Sequence, residues 1–204
     1  ASDVYKRQIL PDSLETLIIK DCKSLTDLDI NAKAQLSILE ACRKNNPKIR
    51  IVFASTRQIY GKPQYLPVDE KHPLNPIDVN GVNKIAGEQY HLLYNQVHEI
   101  RSSVLRLTNT YGPRMRIKDA RQTFLGIWIR NLIEKKTIQV FGDGKQRRDY
   151  NYVDDVVDAL IIAAVRNESA GQVYNLGAPR PISLHEPAQI MCEGLKDANY
   201  ELVP

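Results

Sequence analysis

One supersecondary unit, spelled out between residues 49 and 108, limits the fold more than any other feature. Residues 49–54 form a short, β-branched and apolar run, the kind buried on both faces of a parallel sheet. A polar loop with Pro63, Pro67, Pro73 and Pro76 follows. Apolar residues then recur at helical spacing from about Asn80 to Val97, with Ile85, Tyr90, Leu92, Leu93 and Val97 among them. Residues 104–108 make a second strand. Strand, helix, strand in that order is a βαβ unit, which predicts an α/β fold on a parallel sheet.

The flanks extend the pattern. Asp27 is a candidate cap for a helix carrying Leu28, Ala32, Leu36 and Leu39, stopped by Asn45-Asn46-Pro47. Phe124–Ile133, which holds Trp128, predicts a helix, Ile138–Phe141 a strand closed by Gly142-Asp143-Gly144, and Val153–Val165 a helix. Val173–Leu176 predicts a strand closed by Gly177. Ser183 and Glu186 predict a capping box for a last helix running to about Leu195. No linker sets two autonomous domains apart, so any second domain is interleaved with the first.

Composition narrows the class. An apolar fraction of 43% and a charged fraction of 25% are those of a globular chain with a core. No run of 18 apolar residues exists, so no membrane span is expected. Residues 114–148 hold ten Lys/Arg against three Asp/Glu, a local excess of +7 in a chain whose net charge is +4. That concentration suggests a local anion site rather than a uniform basic coat. Cys22, Cys42 and Cys192 lie far apart, which argues against a disulfide framework or Cys-rich zinc site and suits a reducing, cytoplasmic setting. His72, His91, His98 and His185 have no metal spacing. The chain starts on Ala without a charged-then-apolar leader. Both ends read as cut, and residues 1–20 as in part non-native.

Ligands of open α/β sheets bind at the carboxyl ends of the strands. Ser55 and Thr56 directly follow the run 49–54 and are candidates there, although the ordinary fate of such hydroxyls is to satisfy turn backbone. Asn80 and Lys84 lie one turn apart and share a helix face; a solvated helix Lys is the ordinary alternative. Asn109 ends the second strand. Arg147 and Arg148 follow a tight glycine turn and suit phosphate, or equally a surface salt bridge with Asp149.

Together these pieces resemble one family. Ser55-Thr56-x-x-Ile59-Tyr60-Gly61, Gly81-x-x-Lys84 with Glu88, and Leu105-Arg106-x-x-Asn109-x-Tyr111-Gly112-Pro113 stand in its order and spacing. So do Gly142-Asp143-Gly144-x-x-x-Arg148-Asp149-x-x-x-Val153-x-Asp155 and Tyr174-Asn175-Leu176-Gly177. Over about residues 25–204 the chain resembles the extended short-chain dehydrogenase/reductases of the NAD-dependent nucleotide-sugar epimerase/dehydratase type, UDP-glucose 4-epimerase-like and truncated at both ends.

The resemblance implies a partial Rossmann-type, doubly wound parallel sheet with an interleaved small α/β substrate domain. Residues 21–112 would be the second half of the NAD-binding domain, and 113–204 mainly the substrate domain, with 153–177 returning to the sheet. It implies catalytic roles around Thr56, Asn80 and Lys84. Thr56 matches the hydroxyl on the reacting sugar oxygen, and Lys84 the lysine that holds the nicotinamide ribose. Ser55, Lys84 and Asn31 would face the cofactor, which is NAD, with NADP open because the discriminating segment is absent. Asn109, Arg148, Gln122 and Thr123 would hold a nucleotide-diphosphate sugar. A homodimer through helices 27–44 and 80–97 is also implied, with no nucleic acid and no membrane.

Three departures follow. The family's tyrosine, four residues before the lysine, is Asn80 here, and an amide cannot serve as a general base. Tyr60, Tyr111 or a water is left to take the proton, or the protein is a catalytically silent relative that still binds NAD or a nucleotide sugar. Arg57-Gln58 replaces the Asp-Glu pair of the dehydratases, which favours an epimerase or reductase. No glycine precedes Gly61, so the family's Gly-rich pyrophosphate turn is missing. A nucleic-acid binder stacking bases on Phe124, Trp128 and Tyr150 is the remaining alternative, disfavoured by the modest net charge.

Overall fold

The computed structural model describes residues 26–118, 124–195 and 197–204. Its centre is a three-stranded parallel sheet of β1 (Arg50–Thr56), β2 (Arg101–Leu107) and β7 (Val173–Leu176), in the order β1-β2-β7. The register runs from Arg50 beside Arg101 to Thr56 beside Leu107, and from Val104 beside Val173 to Leu107 beside Leu176. The expected α/β fold is present.

Strand alternation assigns the helices to faces. On β1, Phe53 and Ser55 point to α2 (Val79–His98), while Ile51 packs with Leu39 of α1 (Ala34–Asn45) and Tyr94 of α2. On β2, Ser102 and Arg106 also point to α2. The alternate positions Ser103 and Leu105 face α4 (Val153–Val165), and Arg50 donates to the Ala164 and Val165 carbonyls at the end of that helix. Helices therefore cover both faces. The α2 helix seats closely: a Cβ on Gly87 would lie 2.7 Å from both the Asn31 carbonyl oxygen and the Phe53 ring.

The entry to α1 differs from expectation. Thr26, not Asp27, caps it: Asp29 N–H donates to Thr26 Oγ1 (3.3 Å) and the Asp29 carboxylate accepts from Thr26 N–H (3.0 Å), a reciprocal capping box leading into a π-helical turn, Asp29–Lys33. The Asp27 carboxylate instead accepts from Asn31 Nδ2 (2.9 Å) and from Asn83 Nδ2 of α2 (2.6 Å). A capping carboxylate became a tie between helices because two amides compete for it.

Beyond residue 108 the chain builds small pairings that periodicity does not reveal. β3 (Asn109–Tyr111) runs parallel to β6 (Tyr150–Tyr152), β4 (Ile138–Phe141) parallel to β9 (Tyr200–Val203), and β5 (Arg147–Arg148) antiparallel to β8 (Ile182–Ser183). A second core of Leu125, Trp128, Ile138, Val140 and Ala188 joins α3 (Phe124–Ile133) to β4 and α5 (His185–Glu193). Glu186 accepts from Ser183 N–H at 3.1 Å, as the capping-box spacing predicts. Among the described residues no helix is long and apolar enough to cross a membrane.

His91 shows how tightly α2 is packed. It is 1% exposed, stacks on Phe53 with ring centroids 4.8 Å apart, and accepts at Nδ1 from Ser102 Oγ (2.6 Å) while Nε2–H faces Gln35 Oε1 (3.3 Å). Burial, with Lys84 nearby, pulls its pKa down from the usual 6.5 to about 4. The unfolded chain therefore takes up the proton first as pH falls. This contribution to stability is complete above about pH 6.5 and lost on the way down to about pH 4, on the order of 3 kcal/mol in all. Urea unfolding at pH 7 and pH 4.5 should show the loss, and His91→Gln should shrink it. An identical pH dependence in that variant would refute the assignment.

Candidate active site at the carboxyl edge of the sheet

The end of β1 and the start of α2 are knitted together by Asp78. Its carboxylate caps α2 by accepting from Gly81 N–H (2.6 Å) and also accepts from Gln58 Nε2 (3.1 Å), in the single 3-10 turn Arg57–Tyr60 that follows β1. A Cβ at Gly81 would meet Pro76 at 2.8 Å, so only glycine allows this approach. Thr56 is consequently brought to the same edge as the first two turns of α2. Its Oγ1 accepts from Gln58 N–H at 3.3 Å, capping the turn.

Lys84 Nζ donates to the Ala54 carbonyl (2.8 Å) and lies 4.9 Å from the Phe53 ring centroid. Burial lowers its pKa, and Asp27 and Glu88 work against that shift. One turn earlier, Asn80 is half-buried and its Oδ1 is buried with no hydrogen-bond partner. An acceptor so placed is left to a ligand or a water.

Beneath these groups lies a buried charge network. Glu88, 0% exposed, accepts from Arg106 Nε (3.1 Å) and Nη2 (2.8 Å) and from the Ser55 hydroxyl. Arg106 Nη1 donates to Tyr60 Oη (2.7 Å) and to the Glu70 carbonyl (3.2 Å), and Tyr60 Oη donates to Asn175 Oδ1 (2.6 Å). Asn175 in turn donates through its backbone to the Glu70 carboxylate (2.6 Å) and through Nδ2 to the Val68 carbonyl (3.1 Å). The proline-rich loop is thereby strapped to the end of β7.

The candidate residues are distributed as follows. Thr56, Asn80 and Lys84 share the edge. The Ser55 hydroxyl turns inward to Glu88, and the Asn31 amide is engaged by Asp27. Asn109 Nδ2 donates to the Asp149 carbonyl (2.8 Å), which fixes β3 beside β6. Arg148 lies in β5, with Nη1 donating to the Arg147 carbonyl (2.9 Å). Gln122 and Thr123 lie outside the described residues. Tyr60, one candidate for the missing base, is 4% exposed, and burial raises its pKa, so it is suited to hold the network rather than to accept a proton at neutral pH. Tyr111 is 39% exposed, with its ring against Tyr150 and Tyr152. Sequence reasoning missed Glu70 and Asn175 as partners; no local pattern marks a contact spanning 105 residues.

Comparison with known proteins identifies the family and the fold. The model of the NAD dependent epimerase/dehydratase family matches residues 23–177. A putative UDP-glucose 4-epimerase of Methanocaldococcus jannaschii is 38% identical over 161 residues, which are 78% of this chain and 51% of that protein. Among solved structures, the UDP-glucose 4-epimerase of Thermotoga maritima with UDP-glucose superposes with a TM-score of 0.76 at 27% identity, covering 87% of this chain and 58% of the other. The UDP-glucuronic acid 4-epimerase of Bacillus cereus, in complex with UDP-glucuronic acid and NAD, gives 0.70 at 29% identity, covering 85% and 54%. The chain thus spans about half the length of the relatives it matches.

Proposed function

The chain belongs to the NAD-dependent epimerase/dehydratase family, and from that premise we propose that it supplies the nicotinamide and sugar side of a nucleotide-sugar epimerase site. The observation that carries this reading is the convergence of Thr56, Asn80 and Lys84 at the carboxyl edge of the sheet. NAD is the cofactor in this proposal, and it would supply a reversible hydride acceptor. The residues present fit its nicotinamide half: Lys84 retains donor capacity beyond its one bond to Ala54, and the Asn80 carbonyl oxygen awaits a donor. The pyrophosphate half has no glycine turn here, since the first glycine is Gly61. Ser55 and Asn31 would serve that site by fixing the strand and helix they anchor.

The chain's own residues do the following in this reading. Thr56 hydrogen-bonds the reacting sugar hydroxyl. Lys84 holds ribose hydroxyls and places a positive charge beside the oxygen that loses its proton. Asn80 accepts from that hydroxyl, or from a water that relays the proton. Asn109, Gln122 and Thr123 line the sugar-nucleotide, and Arg148 reads its diphosphate. Residues 21–112 and 113–204 divide cofactor from substrate duties, with 153–177 returning to the sheet. The setting is a reducing, cytoplasmic one. A homodimer through α1 and α2 is supported by the exposed Leu36, Ile38, Leu93 and Val97; a monomer in sedimentation of the full-length protein at micromolar concentration would refute it.

Asn80 together with the committed Tyr60 favours one second reading, a relative that binds NAD or nucleotide sugar without turning it over. A panel of nucleotide sugars with NAD separates the two: interconversion of any member supports the epimerase, and tight binding without turnover supports the silent relative. Arg148→Ala should weaken nucleotide-sugar binding by about 1.5–3 kcal/mol in calorimetry, the worth of a charged hydrogen bond. Unchanged affinity would remove Arg148 from the diphosphate.

A further inference from the structure

The carboxyl edge holds a cation that the reading above does not use. Arg57 is the first residue of the turn Arg57–Tyr60, immediately after Thr56, and it is exposed. Among the described residues no hydrogen bond or ion pair engages its guanidinium. Its charged neighbours are Arg148 and Asp149, which reach the same edge from β5 and its exit. Asp149 is held from the other side, since its Oδ1 accepts from Ala178 N–H at 2.6 Å and its carbonyl from Asn109. Arg148 is a like charge near the Arg57 guanidinium, and Asp149 an opposite one. The carboxylates on this edge are engaged elsewhere, Asp149 by Ala178 N–H and Asp78 by Gly81 N–H and Gln58 Nε2, and neither is ion-paired with Arg57.

Resting on the epimerase reading, we propose that Arg57 is a second anion-reading residue, and that the sugar of the preferred nucleotide sugar itself carries a carboxylate. The position separates this from a diphosphate role. Arg57 is one residue from Thr56, the group assigned to the reacting sugar, whereas Arg148 serves the diphosphate from a different strand. A planar guanidinium with no competing partner suits a carboxylate, which it binds through two parallel N–H···O bonds. A neutral hexose would leave the Arg57 guanidinium without an anion, since the diphosphate reaches Arg148 with either sugar. A uronate places a negative charge against Arg57 while the diphosphate neutralises Arg148. A sugar nucleotide of this class is the ligand named for the Bacillus cereus structure of the same fold.

Calorimetry of the full-length protein with NAD present, using UDP-glucuronic acid, UDP-glucose and UDP, tests this. The wild type should bind UDP-glucuronic acid about tenfold or more tighter than UDP-glucose, the scale of one charge-assisted contact. Arg57→Gln should erase that preference and leave UDP and UDP-glucose within about twofold of wild type, while Arg57→Lys should keep part of it. A wild type without preference overturns the inference, as does a variant that keeps it. Equal weakening of all three ligands by Arg57→Gln would make Arg57 a diphosphate residue and overturn it too. If UDP-glucose binds and only the preference is missing, this inference alone falls; if none of the three binds, the epimerase reading falls with it.

Discussion

Replacing Asn80 by tyrosine is expected to raise the turnover of a nucleotide sugar by about 100- to 10,000-fold, the usual contribution of a positioned general base. The position is already prepared. Residue 80 lies in the first turn of α2, one turn before Lys84, on the edge that Asp78 fixes beside Thr56. A phenol there would have the Lys84 ammonium nearby to stabilise its anion. An amide can pass a hydrogen bond but not ionise. Nucleotide-sugar affinity should change little, because the gain belongs to proton transfer. Steady-state kinetics of the full-length protein with NAD, with binding measured separately, reads both quantities. If Asn80→Tyr abolishes an activity that the wild type possesses, then Asn80 belongs to a different proton relay and the inherited mechanism is wrong for this protein.

The largest loss of stability should come from Glu88→Ala, about 3–5 kcal/mol in urea unfolding at neutral pH. The Arg106 side chain is 6% exposed and would keep its charge with no carboxylate to receive Nε and Nη2. Ser55 would lose its acceptor in the same step. The loss reaches beyond one pair, because Arg106 also holds Tyr60 and the Glu70 carbonyl, and so the loop strapped to β7. A mutation cycle separates pair from packing. The double variant Glu88→Met, Arg106→Met should cost less than Glu88→Ala alone, since an apolar pair leaves no buried charge behind. A single variant within about 1 kcal/mol of wild type would mean that water reaches Arg106 and the network does not support the site.

The legible parts of this protein are those whose signal is local. Val153–Val165, Ile138–Phe141 and Val173–Leu176 end where their periodicity and turn glycines say they end. Asn80 and Lys84 fall one turn apart at the start of α2, as their spacing implies. The strands that escaped notice include β5 and β8, which are two residues long and exist only because each pairs with the other across 33 intervening residues. Asp27 shows the same limit at one residue. As a side chain it is as good a cap as Thr26, and the choice was made by Asn83, 56 residues away.

By itself the sequence determined the α/β class and the order of the longer strands and helices, and it pointed to the carboxyl edge as the candidate ligand edge. Those follow from side-chain periodicity and from residues adjacent along the chain. Only the tertiary structure decided that the Ser55 hydroxyl turns to Glu88, that Tyr60 is committed to Arg106 and Asn175, and that Arg57 has no hydrogen-bond partner among the described residues. The physical reason is that burial and charge proximity are set by packing between distant segments. The same side chain becomes a buttress or a ligand group according to which neighbour reaches it.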